Sequence, residues 1–544
     1  MMDVDEPTAA ETTALLPPSS DSSGPKSDLH PSPWYWPWQA SHRAVIPVIL
    51  LAGLSIGPAR ALTAPLIKTL FCERGIPMYF PIQNNTNHLS SLSSLSLLSD
   101  PLDNNDQCDS AEYSAAIAKF IGINASLTSI LVALTVRFWS ALGDRLGRKR
   151  VMLVWAIGTV IAQIMPLLIY YNKSMSIYFI WVGSMIEGVA GASLSLIALT
   201  HAYAADVTRP EDRTVAFGQT IAGWYAGLGI GSALSGAIVN GFGLITAFWL
   251  MPALVVIDII YIFLIPESLT VAALTNDRSA RTMMTSSQSQ STTISVESSD
   301  NLDTPSASRS KESHPHRVEV FIKSLMPEQL PNRLGGEYSV ALLMVTCFLV
   351  LVAVIGASYQ ISPYLLYQFH WPSAKLSYVG AIQGLSRLAA LTLLLPLIKR
   401  RAPRATISDP ASSISFDLKV VVMGTLIEAL TMLLYGVTSI GEGFYLGGMT
   451  GAMGSLFFPA IRGILSQSVA SVLLGKTLGT LATFESVAAT ISPSLFAWIY
   501  GITLETHPSA VFYVAAVPTL LASALAAYVL VVHNREMRHR ARNC

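Results

Sequence analysis

Twelve long apolar runs, separated by polar segments, dominate the pattern of this chain. They lie near residues 43–71, 113–140, 151–171, 176–205, 214–239, 244–265, 338–367, 374–398, 417–438, 442–466, 477–501 and 508–533. At about 1.5 Å per helical residue, each run is long enough to cross a hydrocarbon layer of about 30 Å. A helix also satisfies its own backbone hydrogen bonds in lipid. The pattern therefore predicts twelve membrane-spanning helices, six before and six after a long polar linker.

Three polar segments flank or divide these runs. Residues 1–42 are rich in Pro and Ser and predict a disordered tail. Residues 267–336 are rich in Ser and Thr, have no helical or strand period, and predict a disordered connector. Residues 534–544 form a short basic tail. The two sets of helices then occupy residues 43–266 and 337–533.

The turn at residues 143–150 predicts how the chain lies in the membrane. Four cations occur in the six residues 145–150, and further Lys and Arg lie at 399–404 and 535–542. Short loops rich in Lys and Arg stay in the cytoplasm. We therefore expect both termini and the linker to be cytoplasmic. Residues 11–16 match an acidic dileucine pattern, which would direct the protein to a vacuolar membrane; the plasma membrane and the vacuolar membrane both remain open.

Composition excludes several classes of function. Only 12% of residues are charged and the formal net charge is +0, so a nucleic-acid partner is not expected. No spacing of His and Cys suggests a metal or another cofactor, and no phosphate-binding Gly-x-x-x-x-Gly-Lys-Ser/Thr loop occurs. An activity driven by ATP bound at such a loop is therefore not expected.

The loops predicted to lie outside carry possible modification sites. Asn84 and Asn172 begin glycosylation triplets. Cys72 and Cys108 share one outer loop, where they either form a disulfide or remain free thiols.

The segment 140–149 reads Ser-Ala-Leu-Gly-Asp-Arg-Leu-Gly-Arg-Lys and resembles the loop 2–3 signature of the major facilitator superfamily, with Ser140 in place of the usual Gly. Asp206 and the segment 266–268, Pro-Glu-Ser, are similar to the family's ends of helices four and six. The resemblance implies the major facilitator fold, an all-α membrane protein with two six-helix bundles. Segments 204–207, 384–387 and 459–462 resemble the proton-coupled folate and haem-related carriers within that superfamily.

Charged residues inside the predicted helices are candidates for the transport site. An ionised side chain at mid-membrane costs roughly 2.5–3.5 kcal/mol, so each needs a partner, water or a function. Arg387 is predicted to anchor an anionic substrate and Glu187 to accept a proton, with Arg60 and Glu428 as further binding candidates. The alternative for each is a structural ion pair or a water-facing charge.

A second set of charges lies near the predicted cytoplasmic face. The resemblance implies that Asp206 joins the charges of the loop 2–3 signature, and the sequence predicts a gate between the two bundles formed by Asp144, Arg145, Gly147, Arg148 and Asp206. Arg462 and Glu485 are predicted to pair as an inner gate. Topology signalling by the cations alone is the alternative.

Together these features predict a secondary active transporter that moves a small organic solute by alternating access, coupled to protons. The expected partners are the solute, protons and the lipid bilayer, and the expected state is a monomer. The alternative is a transporter-like solute sensor that signals through the linker. A membrane-embedded enzyme is disfavoured because no catalytic constellation lies at a membrane face.

Overall fold

The computed structural model describes residues 41–75, 108–208, 213–268, 334, 338–394, 396–398, 410–468 and 471–543. Residues 1–40, Asn84 and most of the predicted linker lie outside the described residues. Within those ranges the chain forms fourteen α-helices and no strand. They are α1 His42–Arg74, α2 Ala111–Leu146, α3 Arg148–Tyr171, α4 Phe179–Val189, α5 Ala192–Val207, α6 Arg213–Phe242, α7 Leu244–Leu264, α8 Ser339–Gln368, α9 Ser373–Ala389, α10 Pro410–Val437, α11 Gly443–Gly454, α12 Phe457–Ser468, α13 Ser471–Thr503 and α14 Ala510–Asn543.

These helices make twelve spans long and apolar enough to cross a membrane, as the hydrophobic pattern predicts. The fourth span consists of α4 and α5, and the tenth consists of α11 and α12. The break in the fourth span falls at Gly191, whose φ of +92° is left-handed and suits glycine. The Trp139 indole donates to the Val189 carbonyl at 2.7 Å, which gives a carbonyl beside the break a partner.

The last helix extends further than the sequence analysis predicts. α14 continues to Asn543, so the basic segment 534–543 is helical rather than a separate tail. This segment contains no Gly or Pro to end the helix. Its cations also lie at the C-terminal end, where the helix dipole favours positive charge.

The hydrophobic core shows how the two bundles meet. One buried cluster contains only residues 44–265, and a second contains only residues 334–529. A third cluster joins side chains of both bundles, such as Leu62 and Phe120 with Tyr364 and Tyr500. The bundles therefore share a core near one membrane face and have separate cores near the other. We call the face with the turn at 143–150 the basic face and the opposite one the far face; the shared core lies toward the far face.

Close helix contacts form this seam on the far side of the membrane. Ser114 bonds Tyr500 at 3.1 Å between α2 and α13, and Ser362 donates to the Ala61 carbonyl at 3.0 Å between α8 and α1. Between α6 and α9, glycines bring the backbones together. A Cβ on Gly384 would lie 2.6 Å from the Gly229 nitrogen. Small residues allow this close approach of membrane helices.

Candidate functional site

A central cavity lies between the bundles and is lined by α1, α6, α8 and α9. About 650 Å³ of space there is free of atoms, part of it open to solvent. Two guanidinium groups line it, Arg60 of α1 and Arg387 of α9. Arg60 precedes Arg74 by 14 residues and Arg387 follows Ser373 by 14 residues. Arg74 ends α1 and Ser373 begins α9 at the far face. Each arginine therefore lies roughly 21 Å along its helix from that face, and the two are at matching depth.

The wall around the arginines is neutral. The Arg387 guanidinium lies over the Tyr225 ring of α6, 5.9 Å from its centroid, and this contact crosses the seam. Such a cation–π contact leaves the charge of the cation in place. None of the described residues that line the cavity is a carboxylate. The other lining residues are small, polar or apolar: Gly57, Ala61, Leu228, Ser232, Ser358, Ile361, Ser362, Leu365, Leu376, Val379, Gly380, Gln383 and Gly384.

Glu428 lies behind Arg387 rather than on the cavity wall. It is 2% exposed in α10, and its side chain packs against Gly454 of α11, where a Cβ would lie 2.7 Å from its Cγ. The charge of Arg387 acts on it electrostatically. Gln383, which does line the cavity, donates to the Tyr435 hydroxyl at 3.4 Å, and Tyr435 interacts with both charges. This hydrogen bond joins the cavity wall to α10, the helix that also carries Glu428.

Glu187 holds a corresponding position in the first bundle. Both Glu187 of α4 and Arg60 act electrostatically on Tyr359 of α8, so they occupy one neighbourhood of the seam. Glu187 is not among the residues that line the cavity. The sequence predicts Arg387 and Glu187 as opposite charges around a cavity. In the structure Arg387 and Arg60 line the cavity, whereas neither Glu187 nor Glu428 does.

The charges at the basic face form a network inside the first bundle. Arg148 is 7% exposed and pairs with Asp144 at 2.5 Å and with Asp206 at 3.2 Å. Asp206 also accepts a hydrogen bond from the Ser268 hydroxyl at 3.0 Å. Arg145 is exposed. Among the described residues, the ion pairs of this network join α2, α3 and α5 only. The interpretation as a gate between bundles therefore has no support from these contacts and remains a prediction about another conformation.

The hydrogen bonds of Glu267 and the backbone conformation of Gly147 account for the shape of the turn at residues 143–150. The Glu267 carboxylate accepts hydrogen bonds from the backbone nitrogens of Arg148 and Lys149 at 2.8 and 3.2 Å, at the start of α3. An anion is favoured there by the helix dipole. Gly147 has φ of +102°, and a Cβ on it would lie 2.5 Å from the Glu267 carboxylate. The turn thus needs glycine both for its backbone and for space.

Arg462 of α12 and Glu485 of α13 form an ion pair in which one guanidinium nitrogen donates to both carboxylate oxygens, at 3.0 and 2.8 Å. The Arg462 guanidinium also lies 4.5 Å from the Phe458 ring centroid. Both residues belong to the second bundle. The charge of Arg462 also acts on His201 of the first bundle, whose ring is tilted at 49° to that of Phe217 with the centroids 5.0 Å apart. The pairing matches the sequence prediction, while its role as an inner gate remains a prediction.

The far face carries the remaining predicted sites. Cys72 and Cys108 are joined in a disulfide with their Cα atoms 5.7 Å apart, and Lys68 forms an ion pair with Asp109 beside it. Asn172 is exposed after α3. Over the described residues, no three His, Cys, Asp or Glu side chains are grouped to hold a metal ion.

Sequence reasoning missed Tyr225, Tyr359 and Gln383. All three are neutral and lie in apolar runs, so a search for intramembrane charges does not select them. The one usable signal is that each carries a polar group within a membrane span.

Twelve spans in two bundles around a polar cavity define a multi-pass membrane protein of the solute-transporter class. The sequence profile of the Major Facilitator Superfamily matches residues 44–409, and the chain belongs to this family. It is therefore a membrane transporter and not an enzyme.

Similar proteins agree with this class. An Aspergillus versicolor protein, MFS-type transporter avaJ, is 23% identical over 420 residues, covering 75% of this chain and 76% of its own length. The human hippocampus abundant transcript-like protein 1 is 24% identical over 380 residues, covering 70% and 63%. The crystal structure of the human organic anion transporter MFSD10 (TETRAN) aligns with a TM-score of 0.55 at 16% identity, over 90% of this chain and 99% of that one. A peptide transporter POT structure with alafosfalin aligns with a TM-score of 0.53 at 13% identity, over 90% and 95%. The predicted membership of the folate and haem carrier group is not confirmed by these matches.

Proposed function

We propose that this transporter moves a small organic anion across its membrane by alternating access, driven by a proton gradient. The observation that carries the proposal is the central cavity with two guanidinium groups and no carboxylate among its described lining residues. Positive charge at mid-membrane is costly unless an anion or water accompanies it. The MFSD10 structure, described as that of an organic anion transporter, is compatible with this solute class.

The contact between the two bundles differs between the two membrane faces, and this difference supports alternating access. The bundles share a buried core toward the far face and have separate cores toward the basic face. A rocking motion that separates the bundles toward the far face and joins them toward the basic face would open the cavity to the far face. Such rigid-body motion around a fixed central site is how transporters with repeated bundles work.

Glu428 supports coupling to protons. When its carboxyl group is charged, it attracts the Arg387 guanidinium and competes with a solute anion. When it is protonated, the positive charge of Arg387 is available to the solute. Proton binding and anion binding therefore favour each other, and linkage makes this effect reciprocal. This direction corresponds to symport.

Purified protein in liposomes tests the proposal. A panel of labelled organic anions is offered with and without an inward proton gradient, and a protonophore serves as the control for coupling. Arg387→Ala should reduce uptake by about tenfold or more, because a hydrogen bond to a charged group contributes about 1.5–3 kcal/mol. Arg43→Ala is the matched control, since Arg43 is an exposed arginine of α1 that does not line the cavity.

Glu428→Gln separates coupling from binding. This variant should exchange internal for external anion while it fails to accumulate anion in response to the gradient. Equal, gradient-independent uptake by the wild type, Arg387→Ala and Glu428→Gln would contradict the proposal.

We further propose the orientation and assembly that the sequence predicts, and its domain limits except at the C-terminal end, where the last helix continues to Asn543. The basic face, both termini and the linker 267–336 face the cytoplasm, the transporter works as a monomer, and it resides in the plasma or vacuolar membrane. The cations of the turn at 143–150 support this orientation. A tag at either end should be accessible to protease only from the cytoplasmic side. Asn172→Gln should remove a glycan from the expressed protein, whereas orientation with the far face in the cytoplasm leaves its mobility unchanged.

A further inference from the structure

Neither cation of the central cavity is bound directly by a carboxylate of the described residues. Within the described residues, neither Arg60 nor Arg387 makes an ion pair or a hydrogen bond. By contrast, Arg148 and Arg462 each bind one or two carboxylates directly. An intramembrane charge generally pairs with another group. Two guanidinium groups without a directly bound carboxylate in one cavity therefore leave two positions for anionic groups.

The placement of these cations limits how they can be satisfied. Arg60 belongs to the first bundle and Arg387 to the second, at matching depth on either side of the seam. A solute with two anionic groups can give each guanidinium an anionic partner of its own, one in each bundle. The cavity wall also includes apolar side chains, among them Leu228, Ile361 and Val379. These suit an apolar spacer between two charged ends.

We propose that the cavity takes a dianionic solute, with one anionic group bound by Arg60 and the other by Arg387 across an apolar spacer. The inference rests on the proposed transport of organic anions and specifies the solute class. A dianion held in this way contacts both bundles at once. Binding of the two ends then depends on the separation of the bundles, which links solute length to conformation.

Ligand-induced thermal stabilisation of the purified protein tests this independently of transport. The probes are straight-chain dicarboxylates of four to eight carbons and, for each length, the half-amide, which has the same shape and one charge. At constant ionic strength, at least one dicarboxylate should bind roughly tenfold more tightly than its half-amide, as expected for a second charge-assisted hydrogen bond. The preference should peak at one chain length.

Substitutions of Arg60 and Arg387 test whether each arginine binds one of the two anionic groups. Arg60→Gln and Arg387→Gln should each make the dicarboxylate and its half-amide bind equally, while Arg43→Gln keeps the difference. Arg60→Lys keeps the charge and should retain part of the preference, which guards against a variant that merely misfolds; the melting temperature without ligand checks folding.

Three results would overturn the inference. If half-amides bind as tightly as dicarboxylates, anion transport stands and the dianion does not. If the preference survives in Arg60→Gln, the second anionic group is held elsewhere. If neither series binds, the inference and the proposed function fail together.

Discussion

Gly384→Ala should shift this transporter away from the conformation described above. The new Cβ would lie 2.6 Å from the backbone nitrogen of Gly229 and 2.7 Å from its Cα, where ordinary contact begins at 3.4 Å. Because backbone atoms cannot rotate aside, α9 and α6 must separate by roughly 0.8 Å, and such overpacking costs about 1–3 kcal/mol. This contact lies on the seam that joins the bundles toward the far face. A conformation with that seam open does not pay the cost, so the equilibrium between the two should change by roughly 5–150-fold.

Labelling of a cavity cysteine measures this shift. Ser358→Cys places a thiol in the cavity, and Cys347→Ser removes the buried free cysteine of α8. A membrane-impermeant maleimide applied from the far face should label the Gly384→Ala protein faster than its parent. Gly218→Ala is the matched control, because this glycine lies in α6 with no atom within 4 Å of an added Cβ. Both changes gain the same helix propensity, which therefore cancels.

Equal labelling rates in Gly384→Ala and Gly218→Ala would refute this reasoning. Such a result would mean that the seam separates elsewhere, or that α6 and α9 move as one unit. A lower rate from the far face would contradict the direction of the shift.

Two further predictions concern stability. Asp206→Asn should lower the thermal midpoint in detergent more than Asp144→Asn, because the Asp206 side chain is 22% exposed and that of Asp144 is 47% exposed. For Asp206→Asn we expect a loss of about 2 kcal/mol in the free energy of unfolding, or about 4–8 °C for a bundle of this size; for Asp144→Asn we expect less than about 1 kcal/mol. Arg148→Met, combined with each of these changes, completes a double-mutant cycle for each pair. Equal coupling energies in the two cycles would contradict the assignment. Replacing Cys72 and Cys108 together with Ser should cost about 3–4 kcal/mol, because the disulfide closes a loop with a sequence separation of 36 residues. Reduction of the wild type should lower its midpoint as far as the double variant does, and an unchanged midpoint in both would mean that the loop needs no covalent closure.

Much of the architecture follows from local pattern. Each span is a continuous apolar segment, and a helix satisfies its own backbone in lipid, so span number and order need no tertiary information. The residues at which the helices end depend less on local sequence alone. α2 continues to Leu146 because Gly147, with its positive φ, ends it where Glu267 caps the next helix. That carboxylate comes from more than a hundred residues further along the chain.

The candidate site was only partly predictable. The cost of burying charge in lipid selects Arg60, Arg387, Glu187 and Glu428 from sequence, because that cost depends on residue type and depth alone. It does not say which helix faces meet. The prediction of opposite charges around the cavity therefore missed the arrangement in which both arginines line the cavity and neither carboxyl group does.

The sequence by itself determined the class of this protein: twelve spans, a basic turn with the family signature, and membership of the major facilitator superfamily. Only the tertiary structure decided that the charges of that turn bind within one bundle, that the bundles meet toward the far face, and that Arg60 and Arg387 share a cavity. The physical reason is that a helix in lipid forms through hydrogen bonds four residues apart, whereas its rotation and neighbours depend on packing between segments hundreds of residues apart.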